Sequence, residues 1–182
     1  MHSPDLQDKK VLILQTSLRL IKQNGLGHTT MDMVAAEAGI SKKTLYLFFK
    51  NKETLMMHSL DWDAEELKNE CINLKEKNSS FADFWCRTLQ LMGQRMFEYS
   101  PALVHEFLNR IPLKAWADTK KEELALLIAQ EVEDGEKRQK IEVLLRAFIT
   151  IIGRCITQEQ YPITPQKMKE VVIPYYCRCV AP

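Results

Sequence analysis

Apolar residues recur with a helical period along nearly the whole chain, and nowhere alternate with polar ones as a half-buried strand requires. From Lys9 to Asn24 they fall at Val11, Leu14, Leu18 and Ile21, flanked by Ile13, Ser17 and Leu20. The spacing predicts a first helix closed by Gly25, with a loop over Gly25–His28. The polar residues 1–8 before it are expected to fray. A second helix is expected over Thr30–Ala38, with the Thr30 hydroxyl accepting from an otherwise unpaired N-terminal N–H. Gly39 stands where helices commonly end in a left-handed residue. Ser41 then caps a third helix, and Ile40 and Leu45 occupy the two positions of a hydrophobic staple. Both ends of the turn are chemically specified, as in a helix-turn-helix.

Asn51-Lys52-Glu53 opens a longer helix, expected to reach Lys77, with Leu55, Met56, Leu60, Leu67, Cys71 and Leu74 among its apolar positions. Its stretch DAEELKNE reads as a solvated face, and Asn78-Ser79-Ser80 is the first clear break. Beyond it, Phe81–Tyr99 carries a broad stripe of Phe81, Trp85, Thr88, Met92, Met96 and Tyr99. Pro101–Arg110 makes a short helix before Pro112, and Leu113–Val132 another, with an acidic end at Glu131–Glu136. Lys137–Gln158 is the most apolar segment: Ile141, Leu144, Leu145, Phe148, Ile151, Ile152 and Cys155, with Val143, Ala147 and Ile149 on other faces. A helix apolar nearly all round must be covered on more than one side. A turn is expected at Tyr161-Pro162 and Pro165. The last helix carries Met168, Val171, Val172, Tyr175 and Tyr176, and Pro174 should kink or end it. The predicted fold class is all-α.

Composition changes this picture only in detail. The 182 residues are 46% apolar and 27% charged, with a net charge of +1, as in an ordinary globular protein. Split along the chain, the charge is uneven. Residues 1–58 carry eight Lys and Arg against five Asp and Glu, and residues 59–142 carry twelve against seventeen. Lys42, Lys43, Lys50 and Lys52 concentrate a local positive field on the motif. No apolar run approaches the ~18 residues of a membrane span, and MHSPDLQDKK lacks the apolar core of a secretory leader. The five cysteines, Cys71, Cys86, Cys155, Cys177 and Cys179, are expected to be small buried hydrophobes rather than a disulfide framework.

The third helix has two unlike faces. At 100° per residue Leu45, Phe48 and Phe49 share one side. Lys42, Lys43, Tyr46, Leu47 and Lys50 project from the other, with Thr44 at its flank, offering groups that bind phosphates and base edges. Here the chain resembles the tetracycline-repressor (TetR) family of transcriptional regulators. The matching residues are Thr30, Ala35, Ala38-Gly39-Ile40-Ser41, Thr44-Leu45-Tyr46, Phe49 and Lys52-Glu53-x-Leu55. Four positions depart from the common pattern: Ser17 and Ile21 stand where alanine and phenylalanine are usual, Lys43 where many relatives have glycine, and Phe48 where many have histidine.

The resemblance implies a helix-turn-helix DNA-binding domain over residues 1–58, its fourth helix continuing beyond, and an effector-binding and dimerisation domain over residues 59–182. It implies DNA contact by Thr30, Lys42, Lys43, Thr44, Tyr46 and Lys52. It places a ligand pocket around Trp85, Thr88, Met92, Arg95, Met96, Tyr99, His105 and Trp116. Arg95 lies within about 40° of the apolar stripe's centre, where it could anchor an anionic ligand or pair with a carboxylate such as Glu106. The dimer interface would use Leu144, Phe148, Ile151, Ile152, Val172 and Tyr176. The implied function is a cytoplasmic, homodimeric repressor that binds a palindromic double-stranded DNA operator and is released by a small-molecule effector. An activator without a small-molecule ligand, or a helical protein-interaction module without operator binding, stays open.

Enzyme signatures are absent. The six glycines are dispersed, so there is no Gly-rich phosphate loop, and no nucleophile elbow occurs. His2, His28, His58 and His105 show no i, i+4 pairing, and no Cys-x-x-Cys is present. Cys177 and Cys179 project about 200° apart on a helix. No cofactor or metal is expected.

Overall fold

The structure is a computed structural model that describes residues 4–77, 80–157 and 163–180. All regular structure among the described residues is helical. The breaks expected at Asn78-Ser79 and Tyr161-Pro162 lie outside the described residues. The chain divides into two compact units, Met1–Glu66 and Leu67–Pro182.

In the first unit, α1 spans Pro4–His28, α2 Met31–Glu37 and α3 Lys42–Phe48, followed by the start of α4, Lys52–Lys77. Helix α1 opens earlier than its apolar period suggested, because a proline at a helix start forfeits no needed donor. Its helical geometry breaks at Gly25, at φ 78° and ψ 168°, a conformation open to glycine at little cost. Helical structure resumes to His28 where a loop was expected, and the buried Thr29 hydroxyl donates to the Gly25 carbonyl at 2.9 Å. Ile13, Leu14, Leu20, Met31, Val34, Ala35, Leu45, Phe49 and Leu55 form the core. Ile40, Phe48 and Trp62 pack against it. Complete burial of Leu45 contributes about 2 kcal/mol. The Lys22 ammonium reaches the almost fully covered Asp63 carboxylate at 3.1 Å, joining α1 to α4. This pair and Trp62 explain why the unit extends to Glu66 rather than ending with the motif.

The second unit contains the end of α4, then α5 (Phe81–Phe97), α6 (Pro101–Asn109), α7 (Ile111–Ala129) and α8 (Gly135–Thr157). A single turn, α9 (Pro165–Lys167), leads through a π-helical turn, Met168–Val172, into α10 (Ile173–Arg178). Ser80 and Ser100 cap α5 and α6 through their hydroxyls. Pro112 lies in the first turn of α7, so it opens that helix rather than standing outside it. Pro174 neither ends its helix nor interrupts it. The preceding turn widens so that the Ile173 N–H donates to the Met168 carbonyl, five residues back, a local shift of register that accommodates the missing proline N–H.

The core of this unit includes Trp85, Leu89, Met92, Ile128, Leu145, Phe148 and Ile152. The Trp85 indole N–H donates to the Tyr176 carbonyl at 3.1 Å inside it. One expectation is corrected here. Cys86 of α5 and Cys177 of α10 are joined as a disulfide, with Cα atoms 5.4 Å apart. These cysteines are 91 residues apart in sequence, so only packing of α10 on α5 reveals the pairing. Cys71, Cys155 and Cys179 are free. Burial, then the neighbouring Glu70 charge, pushes the Cys71 thiol up to about 12, which leaves it chemically inert. No helix among the described residues is long and apolar enough to cross a membrane.

Candidate nucleic-acid interface

The motif is held by short-range bonds at each of its corners. The Met33 N–H donates to the Thr30 hydroxyl at 3.2 Å, and the Thr44 N–H donates to that of Ser41 at 3.0 Å. Between them the chain reverses at Gly39, with φ 66°, where any other residue would carry a steric penalty. The Thr54 N–H donates to Asn51 Oδ1 at 2.8 Å at the start of α4. With Leu45 and Phe49 buried, the orientation of α3 is determined and its opposite face is left in water.

That face carries Lys42, Lys43, Tyr46 and Leu47, all exposed. Thr44 is half-buried at its edge, its hydroxyl 2.9 Å from that of Ser41. The Lys42 ammonium reaches Asp32 of α2 at 2.6 Å. Both side chains are exposed, so the pair is weak and screened, and a phosphate can take the place of the carboxylate. Asp32 is a partner that the sequence pattern did not single out. Lys52 donates to the Gly27 carbonyl at 3.2 Å, which holds its ammonium beside the last turn of α1. Thr30, Lys42, Lys43, Thr44, Tyr46 and Lys52 thus lie on or beside one small motif, while Phe48 turns inward to the core.

The residues assigned to a pocket are less concentrated. Trp85, Thr88 and Met92 are buried together along α5, and the Thr88 hydroxyl has no hydrogen-bond partner among the described residues. Met96 is half-buried and His105 is exposed. Trp116 lies against Phe107, ring centroids 5.7 Å apart, and Phe107 against Tyr99 at the same distance. Arg95 is ion-paired with Glu70 of α4 and lies 3.9 Å from Glu98. The carboxylate beside it is therefore Glu70 rather than Glu106, which lies 3.7 Å from Arg110 instead.

The residues assigned to dimerisation divide by direction. Phe148, Ile152 and Tyr176 are buried within the chain itself, Phe148 and Tyr176 meeting edge to face at 5.2 Å. Leu144 and Val172 are half-buried, while Ile151 is exposed. Val143 of α8, Val171 of the π turn and Tyr175 of α10 are exposed as well.

A pair of capped helices around a glycine turn, the second presenting lysines, a hydroxyl and a phenol to solvent, defines a helix-turn-helix DNA-binding protein. Residues 13–57 match the bacterial regulatory proteins of the tetR family. The HTH-type transcriptional regulator YuxN of Bacillus subtilis is 28% identical over 94 residues, which cover 52% of this chain and 32% of that protein. The chain thus spans about a third of that relative's length. YhgD of the same organism, also an HTH-type transcriptional regulator, is 28% identical over 80% of this chain and 83% of its own. In three dimensions a transcriptional regulator from Cytophaga hutchinsonii superposes with a TM-score of 0.69 at 18% identity, covering 97% of this chain and 98% of the other. Residues 13–57 thus carry the DNA-binding pattern of the tetR family of bacterial regulatory proteins, and over most of its length the chain is similar to an HTH-type transcriptional regulator and shares the fold of another.

Proposed function

We propose that this protein is a homodimeric repressor that binds a palindromic operator and is released by a small-molecule effector inside the cytoplasm. The observation that carries this reading is the α3 face, rigidly capped, basic and free of any packing role. A two-fold dimer would set two such helices in successive major grooves, about one turn of DNA apart. The apolar surface of Val143, Ile151, Val171 and Tyr175, all of them exposed, supplies the self-association. Lys42, Lys43 and Lys52 would neutralise phosphates, Thr30 would hold one at the front of α2, and Thr44 and Tyr46 would face base edges.

For the effector, the support is the Thr88 hydroxyl, fully covered and without a partner, between Trp85 and Met92. An uncompensated buried hydroxyl costs about 1–3 kcal/mol, and a polar atom of a bound molecule would remove that cost. Arg95 would join such a site by exchanging Glu70 for an anionic group. Helix α4 is continuous from the first unit into the second and would couple the two events. The effector shifts operator affinity only by its own preference between the two dimer geometries.

Selection of bound duplexes from a random DNA pool, with the purified protein at near-physiological salt, tests the reading. A palindrome with two half-sites is the expected result. Weak retention without sequence preference, from folded protein free of ligand, would refute operator recognition. The selected duplex then serves in a release assay against a panel of small apolar and anionic compounds. No release by any of them would point to a regulator without an effector.

A further inference from the structure

Leu47 is 78% exposed, the most exposed leucine among the described residues. It lies in the middle of α3, two residues after Leu45, which is fully buried. The Ser41 cap and the buried Leu45 and Phe49 hold this helix, so Leu47 cannot turn inward without undoing the motif. Leucine in water forfeits the burial that normally places it in a core, and at 78% exposure the described residues of the first unit leave most of it uncovered. A lone exposed leucine on a protein surface would need no explanation. This one shares its face with Lys43, about 40° away on the helical wheel, and with Tyr46 one residue before it.

The lysines bring that face to phosphates, but leucine has no atom that bonds to a phosphate or to the hydrogen-bonding edge of a base. What it can bury in a major groove is the 5-methyl group of thymine, the one apolar group a base pair presents there. The minor groove offers no such group. We propose that Leu47 reads a thymine methyl in each half-site and so specifies an A·T pair at one operator position. This rests on the DNA-binding reading above and deepens it by adding an apolar contact to the polar ones.

The test uses the full-length protein and its selected operator, with each thymine of the half-site replaced in turn by deoxyuridine, which removes only the methyl group. At one position, substituted in both half-sites, wild-type affinity should fall roughly 15-fold, from about 4-fold per buried methyl. With Leu47→Ala the same substitution should change affinity less than about 2-fold, a coupling that a double-mutant cycle isolates. The salt dependence of Leu47→Ala should equal that of wild type, because no ionic contact is removed. An equal deoxyuridine penalty in both proteins, or no penalty at any thymine, would overturn the assignment while leaving operator binding intact. Failure to select any duplex would overturn both. Leu47 is at the surface, so Leu47→Ala should melt with wild type, and a circular dichroism melt verifies that loss of binding is not loss of fold.

Discussion

The α3 face and the apolar face of α8 and α10 both leave large side chains in water, but in different company and on different supports. On α3, Tyr46 and Leu47 stand among Lys42 and Lys43. On the second unit Val143, Ile151, Val171 and Tyr175 are exposed on α8, the π turn and α10. Mixed chemistry suits a polyanion with occasional methyl groups, and plain apolar surface suits a second protein surface. The supports differ as well. The α3 face depends on bonds spanning three residues, Thr30 to Met33 and Ser41 to Thr44. The position of α10 depends on contacts between remote segments, Trp85 with Tyr176 and Cys86 with Cys177, both on α5 and α10. The ends of α3 are therefore set by local chemistry, while its orientation needs the small core around Leu45 and Phe49, and the second face exists only once the whole unit has closed.

The largest expected effect tests remote support. Reducing the Cys86–Cys177 link, which closes a separation of 91 residues, should lower the stability of the second unit by up to about 4.5 kcal/mol. Calorimetry with intact-mass verification of reduction measures this, and an unchanged transition would show that packing alone holds α10. Next, Ile151→Asp with Val171→Asp should weaken self-association about 100-fold, or ~2.7 kcal/mol, with unaltered helical content. Sedimentation over a concentration series decides it; an unchanged dimer would place the interface elsewhere. On the α3 face, Lys42→Ala with Lys52→Ala should lower operator affinity on the order of 50-fold at 0.1 M salt and reduce the salt slope by about 1.8. Titrations at several salt concentrations check both numbers, and an unchanged slope would refute phosphate contact by these lysines. Smallest is the loss of local support: Ser41→Ala should cost about 1 kcal/mol in a denaturant melt. A much larger loss would mean that the motif is less self-sufficient than its caps imply.

The elements that were legible beforehand are those governed by neighbours in sequence. Thr30, Gly39 and Ser41 each act within one turn, so the boundaries of α2 and α3 follow from them, and α4 runs Lys52–Lys77 as its apolar period predicts. The lysines of the candidate interface were legible for the same reason. Prolines were harder to read, because Pro112 and Pro174 occupy first turns rather than ends, and which applies depends on where the preceding helix happens to stop. Neither Glu70 beside Arg95 nor Asp32 beside Lys42 is marked by spacing. Each arises from two helices meeting.

By itself the sequence determined that the chain is all-α, where α2 and α3 begin and turn, and which residues of α3 face solvent, since caps, turns and helical period operate over a few bonds. It also carried the family pattern, because that pattern lies in the same short segment. Only the tertiary structure decided that Phe148 and Ile152 point into the unit while Ile151 points out of it. All three sit on a helix apolar nearly all round, and periodicity cannot say which side a neighbour will cover. The pairing of Cys86 with Cys177 and the partner of Arg95 were decided in the same way, by contacts between segments far apart in the chain.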